Sequence, residues 1–260
     1  MLTSDIAICI RAIDYSETSQ IVTLFTRANG KIQAIAKGSK RAKSAFDGAI
    51  ELFSYGKIVF ADPKKEKLAT LTEFEQTPAF TPAGDNLFAL NCCLFATELL
   101  NNLTNDYDPH PELFDSFLQF LKNTNEERGT KNERRRTRDE RRRTPTLLIL
   151  FQLSLLKEVG LSPILNYCVN CKTKFEYRVS SIENQVFFSS SANSLICKDC
   201  EASFPDRIRL TKNAARCLTN LKMLAESNEN TLKEVEGVLV HHFTELLGRP
   251  PKMAKHILET

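Results

Sequence analysis

Residues 20–37, QIVTLFTRANGKIQAIAK, decide the fold of the first part of the chain. Two runs of β-branched and other apolar residues, 20–26 and 31–37, stand on either side of the pair Asn29-Gly30. An Asn-Gly pair between two such runs is a strong signal for a β-hairpin, because both residues tolerate a positive φ. The segment therefore predicts two antiparallel strands joined by a tight turn.

Three further strands are predicted around this hairpin. Apolar residues dominate the run 6–10, and the runs 50–61 and 67–76 are rich in β-branched and aromatic residues. Five short strands with turn-length connections and no helical period indicate a small closed barrel or a sandwich. We interpret residues 1–80 as an OB-like β-barrel, although five strands alone do not distinguish it from an SH3-like barrel.

After residue 80 the apolar residues recur at helical spacing. Helices are predicted to begin at four places: at Asp85, at Pro111, at the pair Thr144-Pro145 and at the capping box formed by Thr231 and Glu234. Gly160 and Gly248 are expected to end two of these helices. The predicted fold class is α+β, with the barrel followed by an α-helical body over residues 81–260.

Two Cys-x-x-Cys pairs stand in the second part of the chain, Cys168 with Cys171 and Cys197 with Cys200. The pairs are separated by 25 residues and suit a tetrahedral Zn²⁺, because each pair supplies one edge of the tetrahedron. Four sulfur ligands leave no position for water or substrate, so one structural Zn²⁺ per chain is expected. The runs 175–179 and 185–189 predict strands of a zinc ribbon over residues 165–205. A redox-active dithiol and a coincidental spacing are the alternative interpretations.

The 29 residues from 18 to 46 contain no Asp or Glu and six cations: Arg27, Lys31, Lys37, Lys40, Arg41 and Lys43. Four of the six lie in residues 37–44, KGSKRAKS, which the sequence predicts to be a flexible segment between strands. Its glycine and serines permit close approach to phosphates, and its cations attract them. All six are candidate DNA-binding residues, and a solvated loop that is basic by chance is the alternative. Phe46, Phe53 and Tyr55 are candidates for base stacking or for core packing.

A second basic run, residues 134–143, holds seven arginines and two acids. It lies in a stretch, 124–144, that has no apolar period and is longer than most connections between helices. We expect a disordered, solvated insertion there. The sequence leaves open whether this insertion contacts nucleic acid.

The composition excludes several classes of protein. A chain that is 42% apolar and 26% charged is not disordered as a whole. Its most apolar stretch, 145–156, is shorter than the roughly 20 residues that cross a bilayer, and the N-terminus lacks the pattern of a secretory signal. No membrane association and a cytoplasmic location are expected.

The sequence contains no phosphate-cradling glycine motif, no zinc-hydrolase motif and no nucleophile–base pair. This pattern indicates a binding protein that has neither catalytic activity nor a small-molecule substrate.

The order and spacing of these features resemble the bacterial RecO family of DNA repair proteins over essentially the whole chain. The resemblance rests on residues 37–44, on EVGLSP at 158–163 before Cys168, and on LGRPPK at 247–252. It implies a recombination mediator that binds single- and double-stranded DNA, anneals complementary strands, and works with RecR and the single-strand-binding protein SSB to help load RecA. It also implies that Lys37, Lys40, Arg41 and Lys43 match the family's DNA-contacting region and that the zinc is structural. The stretch 124–144 looks like an insertion relative to the family.

Two other classes of function stay open on the sequence alone. An RNA-binding or transcription-associated zinc-ribbon protein would differ by preferring RNA to DNA and by not binding RecR. A zinc-dependent nuclease is disfavoured because four sulfur ligands leave no open coordination position, and incubation with labelled DNA would test it.

Overall fold

The computed structural model describes residues 2–41, 43–62, 68–77, 86–125, 138–175 and 185–258. Two compact units can be distinguished, residues 1–85 with 100–126, called the barrel unit, and residues 86–99 with 127–260, called the helical unit. The division into domains at residues 80 and 81 stays a prediction, since the barrel unit also takes in residues 100–126.

Five strands close into a barrel in the order β1-β2-β3-β5-β4: β1 (Leu2–Asp14), β2 (Gln20–Thr26), β3 (Gly30–Ala36), β4 (Tyr55–Ala61) and β5 (Ala69–Gln76). All neighbouring strands are antiparallel except β3 and β5, which run parallel. The long β1 closes the barrel, because its first half pairs with β4 and its second half with β2. A register shift between Cys9 and Arg11 allows the strand to bend there. The OB-like barrel predicted from the sequence is confirmed.

Alternate residues of the strands fill the barrel interior, including Ala7, Val22, Leu24, Ile32, Ala34, Ile58, Phe60, Leu71 and Phe74. Phe46 belongs to the same core, and Phe53 is also buried. Of the three aromatic residues considered for base stacking, these two therefore take the packing role.

The β2–β3 hairpin forms around Asn29-Gly30 as predicted. Thr26 pairs with Gly30, and the Thr26 hydroxyl donates to the Gly30 carbonyl while accepting from the Asn29 amide. Gly30 has a φ of 70°, and a Cβ at this position would lie 2.3 Å from the Asp108 carbonyl oxygen. Both the backbone conformation and the close approach of another segment require glycine here.

Six α-helices, two short 3₁₀ helices and a small sheet follow in the described residues. The α-helices are α1 (Leu87–Leu103), α2 (Pro111–Asn125), α3 (Arg138–Glu158), α4 (Lys212–Thr219), α5 (Glu229–Leu247) and α6 (Ala254–Leu258), and the strands are β6 (Val186–Ser189), β7 (Ser194–Cys197) and β8 (Ile208–Leu210). The three strands form an antiparallel sheet in the order β7-β6-β8. The α+β class is thereby confirmed. Of the ribbon strand predicted at 175–179, residues 176–179 lie outside the described residues. Among the described helices, none has the length and hydropathy needed to cross a membrane.

The start of α3 corrects the sequence-based expectation for 124–144. The helix begins at Arg138, so Thr144 is not its cap and Pro145 lies inside it. Arginine and glutamate favour helices, and the apolar turns that follow anchor the extension. Residues 138–144 are therefore helical rather than disordered, and residues 126–137 lie outside the described residues.

The start of α5 corrects the predicted capping box. Asn228 caps this helix, since its side chain accepts a hydrogen bond from the Thr231 amide at 2.9 Å. Glu234 instead accepts from the amide and the hydroxyl of Thr211, the residue that caps α4. Asn228 stands one turn earlier and has an equally good capping side chain, so it displaces Thr231 from that role. The predicted ends of α3 and α5 are confirmed by the positive φ of Gly160 and Gly248.

Helix α1 also starts with an asparagine cap. The Asn86 side chain accepts from the Ala89 amide at 3.2 Å. Asp85, the predicted cap, lies outside the described residues.

Candidate metal centre and nucleic-acid interface

The helical unit brings the four predicted metal ligands together, Cys168, Cys171, Cys197 and Cys200. Their four Sγ atoms all lie within 4.8 Å of one another, and the Sγ atoms of Cys171 and Cys197 are 3.5 Å apart. A tetrahedral site with Zn–S bonds of about 2.3 Å places its sulfur atoms about 3.8 Å apart. The cluster could therefore hold a metal ion with little rearrangement.

Local backbone contacts form the first Cys-x-x-Cys turn. The Lys172 amide donates to the Cys168 carbonyl, and the Cys168 amide donates to the Thr173 carbonyl, each at 2.9 Å. Lys172 adopts a positive φ of 63°, which lets the chain reverse behind the cysteines. The second pair arises differently, because Cys197 ends β7 and Cys200 lies in the short 3₁₀ helix Lys198–Ser203.

The four thiols have unequal surroundings. Cys171 is exposed, whereas the other three are buried. Hydrogen bonding to Thr173 is the main cause that lowers the pKa of Cys171 to about 6. Burial is the main cause that raises the pKa of Cys197 to about 12. A bound divalent cation compensates the cost of a buried thiolate, which makes this donor set suited to a metal.

The candidate nucleic-acid interface is the basic loop, residues 37–44, which follows β3. A single buried side chain, Gln20, anchors it. The Gln20 Oε1 accepts from the Ser39 hydroxyl and from the Ile50 amide, both at 2.9 Å, and its Nε2 donates to the Ile50 carbonyl at 3.0 Å. Ser39 itself is fully buried. The basic loop is thus held through Ser39 at the start of β2.

Backbone hydrogen bonds hold the first half of the basic loop as well. The Gly38 amide donates to the Ser19 hydroxyl, and the Lys40 amide donates to the Thr18 carbonyl. Gly38 has a φ of 73°, which turns the chain at this point. The expected flexible segment is therefore held by hydrogen bonds over its described residues. Sequence reasoning missed Gln20, whose only signal was an amide side chain at the start of an otherwise apolar strand.

Three of the six candidate cations are exposed on the basic loop and form no ion pair with the described residues: Lys37, Arg41 and Lys43. Lys40 is also exposed, but its Nζ lies 2.7 Å from Asp14 Oδ2. All four cations of the basic loop are therefore exposed, and a DNA contact by any of them stays a prediction.

The other two candidates are engaged inside the barrel unit. Arg27 forms a two-point ion pair with Asp115, with nitrogen–oxygen distances of 2.9 and 2.8 Å, and hydrogen bonding to this carboxylate raises the pKa of Arg27. Lys31 is buried, and its Nζ donates to the carbonyls of Asn101 and Thr104 at 2.8 and 2.7 Å. Burial lowers the pKa of Lys31. A DNA contact by either residue stays a prediction.

Comparison with known proteins places the chain among the DNA repair proteins. Residues 1–80 match the family model described as recombination protein O N terminal, and residues 84–255 match the model for its C terminal part. The chain belongs to the RecO family, which confirms the resemblance drawn from the sequence.

Relatives from several bacteria carry the same description, "DNA repair protein RecO". The relative from Bacillus pumilus is 31% identical, over 95% of this chain and 90% of its own length. The one from Bacillus subtilis is 31% identical over 95% and 91%. The one from Rhodopirellula baltica is 30% identical over 86% and 75%.

Proposed function

We propose that this protein is a cytoplasmic recombination mediator without catalytic activity. It binds single- and double-stranded DNA through the basic loop, anneals complementary strands, and helps load RecA on SSB-coated DNA together with RecR. The observation that carries this proposal is the exposed group Lys37, Arg41 and Lys43 on a hydrogen-bonded loop of an OB-like barrel, in a chain of the RecO family.

Sequence-independent binding follows from the chemistry of the basic loop. Lysine and arginine attract phosphates through charge, and phosphate contacts carry no base information. Because Gln20 holds the loop in one conformation, little conformational entropy is lost when DNA binds. The binding is expected to weaken steeply as salt concentration rises.

Annealing follows from the same charge. Two DNA strands repel each other, and a cationic surface that holds one strand lowers the cost of bringing up the second. No nucleotide-binding motif is present in the sequence, so we propose that annealing needs no ATP.

We also propose that the four-cysteine cluster binds one structural Zn²⁺. The sulfur–sulfur distances support this metal, and four thiolate ligands leave no position for a reacting water. The ion would hold the two Cys-x-x-Cys turns together.

The test of the proposed function is a fluorescence-quench annealing assay with and without ATP. We expect wild-type protein to accelerate annealing equally in both conditions, and K37A/R41A/K43A to lose most of the acceleration. The salt slope of binding falls by about 0.7 for each lost contact with single strands. The control K157A/K222A/K233A removes the same charge from exposed positions of the helical unit. Equal losses in the two triple variants, or a dependence on ATP, would contradict the proposal.

The proposed partners are tested separately with purified RecR and SSB from the same bacterium. We expect both to be retained by the immobilised full chain, and RecA filaments to form faster on SSB-coated DNA when RecR and this protein are both present. A preference for RNA over DNA of the same sequence, without binding to RecR, would instead favour the RNA-binding alternative.

A further inference from the structure

A cleft of about 460 Å³ opens on the outer surface of the barrel. Its lining includes Ile6 of β1, Arg27 in the β2–β3 turn, and Tyr55 and Lys57 of β4. The volume is within the range of about 300–1,000 Å³ typical of sites for small ligands. Neither the proposed DNA contact on the basic loop nor the metal cluster uses this cleft.

The cleft and the basic loop lie at opposite ends of β2. Gln20 begins the strand and anchors the loop, whereas Arg27 follows its last residue and lines the cleft. A strand of this length spans about 20 Å, so one phosphate cannot contact both places. Between them the outer surface of β2 is covered, because the fully buried Phe25 packs against Phe114 of α2 with ring centroids 6.0 Å apart.

Hydrogen bonds within the barrel unit hold one wall of the cleft in place. The Asp5 carboxylate accepts from the Ala28 amide at 3.0 Å and from the Asn29 side chain at 2.7 Å. Arg27 is fixed by its two-point ion pair with Asp115. The β2–β3 turn therefore keeps its position whether or not a ligand is bound.

The opposite wall joins an aromatic ring to exposed cations. The Nζ of Lys122 lies 5.5 Å from the centroid of the half-buried Tyr55 ring, and Lys57 is two residues along β4. Neither lysine forms an ion pair with the described residues, and Ile6 adds an apolar side chain that is 40% exposed. An aromatic platform beside cations is the combination that binds single-stranded nucleic acid, in which bases stack and phosphates are neutralised.

We infer that the Tyr55 cleft binds a nucleotide of a second DNA strand, with the base on Tyr55 and the phosphates near Lys57 and Lys122. This inference rests on the proposed function, in which the basic loop holds the first strand. Helix α2 covers the surface of β2 between the basic loop and the Tyr55 cleft. The barrel unit therefore holds the two strands at separate surfaces. Complementary bases in the two strands can then pair before either strand has to leave the protein.

The inference is tested with two short, non-complementary oligonucleotides that carry a fluorescence donor and an acceptor. We expect energy transfer with wild-type protein, and sedimentation should show one chain bound to two oligonucleotides. Y55L is expected to weaken binding of the second oligonucleotide about tenfold, because base–aromatic stacking is lost. Y55F keeps the ring and is expected to bind both strands as wild type does.

A second variant and a crosslink distinguish a loss of second-strand binding from a loss of folding in Y55L. K57A/K122A changes only exposed side chains, and we expect the salt slope of second-strand binding to fall by about 0.7 per lysine. The control K222A/K233A removes equal charge from the helical unit and should bind as wild type does. With unlabelled DNA already on the loop, a 5-bromodeoxyuridine oligonucleotide should crosslink to the peptide that contains Tyr55.

The outcomes separate this inference from the proposed function. If wild-type protein binds one oligonucleotide and shows no energy transfer, the inference is wrong and the proposed function stands. Energy transfer that is equal in Y55L and wild type also overturns the inference. If wild-type protein binds no oligonucleotide, the proposed function fails and the inference fails with it.

Discussion

The two units differ in whether their buried polar groups have hydrogen-bond partners. In the barrel unit, both polar atoms of Gln20 and the ammonium group of Lys31 have hydrogen-bond partners at 3.0 Å or less. In the helical unit, Gln152 Oε1, Glu236 Oε2 and both ring nitrogens of His242 are buried without a partner among the described residues. Backbone and side-chain partners therefore satisfy these buried groups of the barrel unit, whereas the helical unit buries titratable groups, Glu236 and His242, whose polar atoms are not all paired within the described part of the chain.

Removal of the proposed zinc is expected to have the largest effect, and it should affect the helical unit alone. A structural Zn²⁺ contributes on the order of 10 kcal/mol to the folding of a small metal site. We expect C197S, or a strong chelator, to unfold the region around the cysteines while DNA binding through the basic loop persists. Elemental analysis of protein purified without added metal should find about one zinc per chain.

C217S is the matched control for that experiment, because Cys217 is a buried cysteine of α4 outside the cluster. It should retain zinc in full. A protein that is normally folded without metal, or that contains a disulfide between Cys168 and Cys171, would contradict the prediction.

The next largest effect concerns the buried acid Glu236. Gln152 donates to its Oε1 at 2.6 Å, and burial raises the pKa of Glu236 to about 7. A raised carboxyl pKa means that the folded state binds the proton more tightly, so stability is lost as pH rises from about 4.5 to 7. At about 1.4 kcal/mol for each pKa unit, the loss is on the order of 3 kcal/mol.

Glu236→Gln tests this directly. We expect the variant to be more stable than wild type at pH 8 by about that amount and to lose the advantage near pH 4.5. The measurement is the difference in unfolding free energy at each pH, in which the pH dependence of metal binding cancels. A constant difference across this range would show that Glu236 does not titrate there.

The substitution of Gln20 tests the corresponding buried polar group of the barrel unit. Q20A leaves the Ser39 hydroxyl and the Ile50 backbone groups without partners, at a cost of about 2 kcal/mol. Because all cations of the basic loop remain, DNA affinity should fall while its salt slope is nearly unchanged. Thermal unfolding and salt-dependent binding measure the two effects. A change of slope equal to that of K37A/R41A/K43A would mean that Gln20 does more than position the loop.

The smallest effect on DNA affinity is expected from the exposed ion pair between Asp14 and Lys40. Asp14 pairs with Lys40 at 2.7 Å, and exposed pairs contribute no more than about 1 kcal/mol. D14N removes the competing carboxylate, so DNA should bind up to about threefold more tightly at low salt, and the gain should vanish at high salt. In the K40A background the same substitution should have a smaller effect, and equal gains would exclude Lys40 as the cause.

Short-range patterns predicted much of the fold and the metal cluster. Asn29-Gly30 predicted the hairpin, because its two strands are neighbours along the chain. The Cys-x-x-Cys spacing within each pair predicted the cluster, although the two pairs are separated by 25 residues. The caps of α1 and α5 were missed because Asn86 follows the equally suitable Asp85, and Asn228 lies one turn before the equally suitable Thr231. The separation of the six cations could not be predicted either. Asp115 lies 88 residues from Arg27, and Thr104 lies 73 residues from Lys31, and no local pattern records such pairs.

Lys31 also sets the order in which the nascent chain can mature during translation. The lysine is made early, yet the carbonyls that receive its ammonium group belong to Asn101 and Thr104. Until the ribosome has passed those residues, β3 carries a charge that has no internal partner. The β1–β4 pairing that closes the barrel likewise waits for residues 55–61. We therefore expect released chains truncated near residue 80, which contain all five strands but lack Asn101 and Thr104, to be sensitive to proteases, and chains extended past residue 106 to acquire resistance.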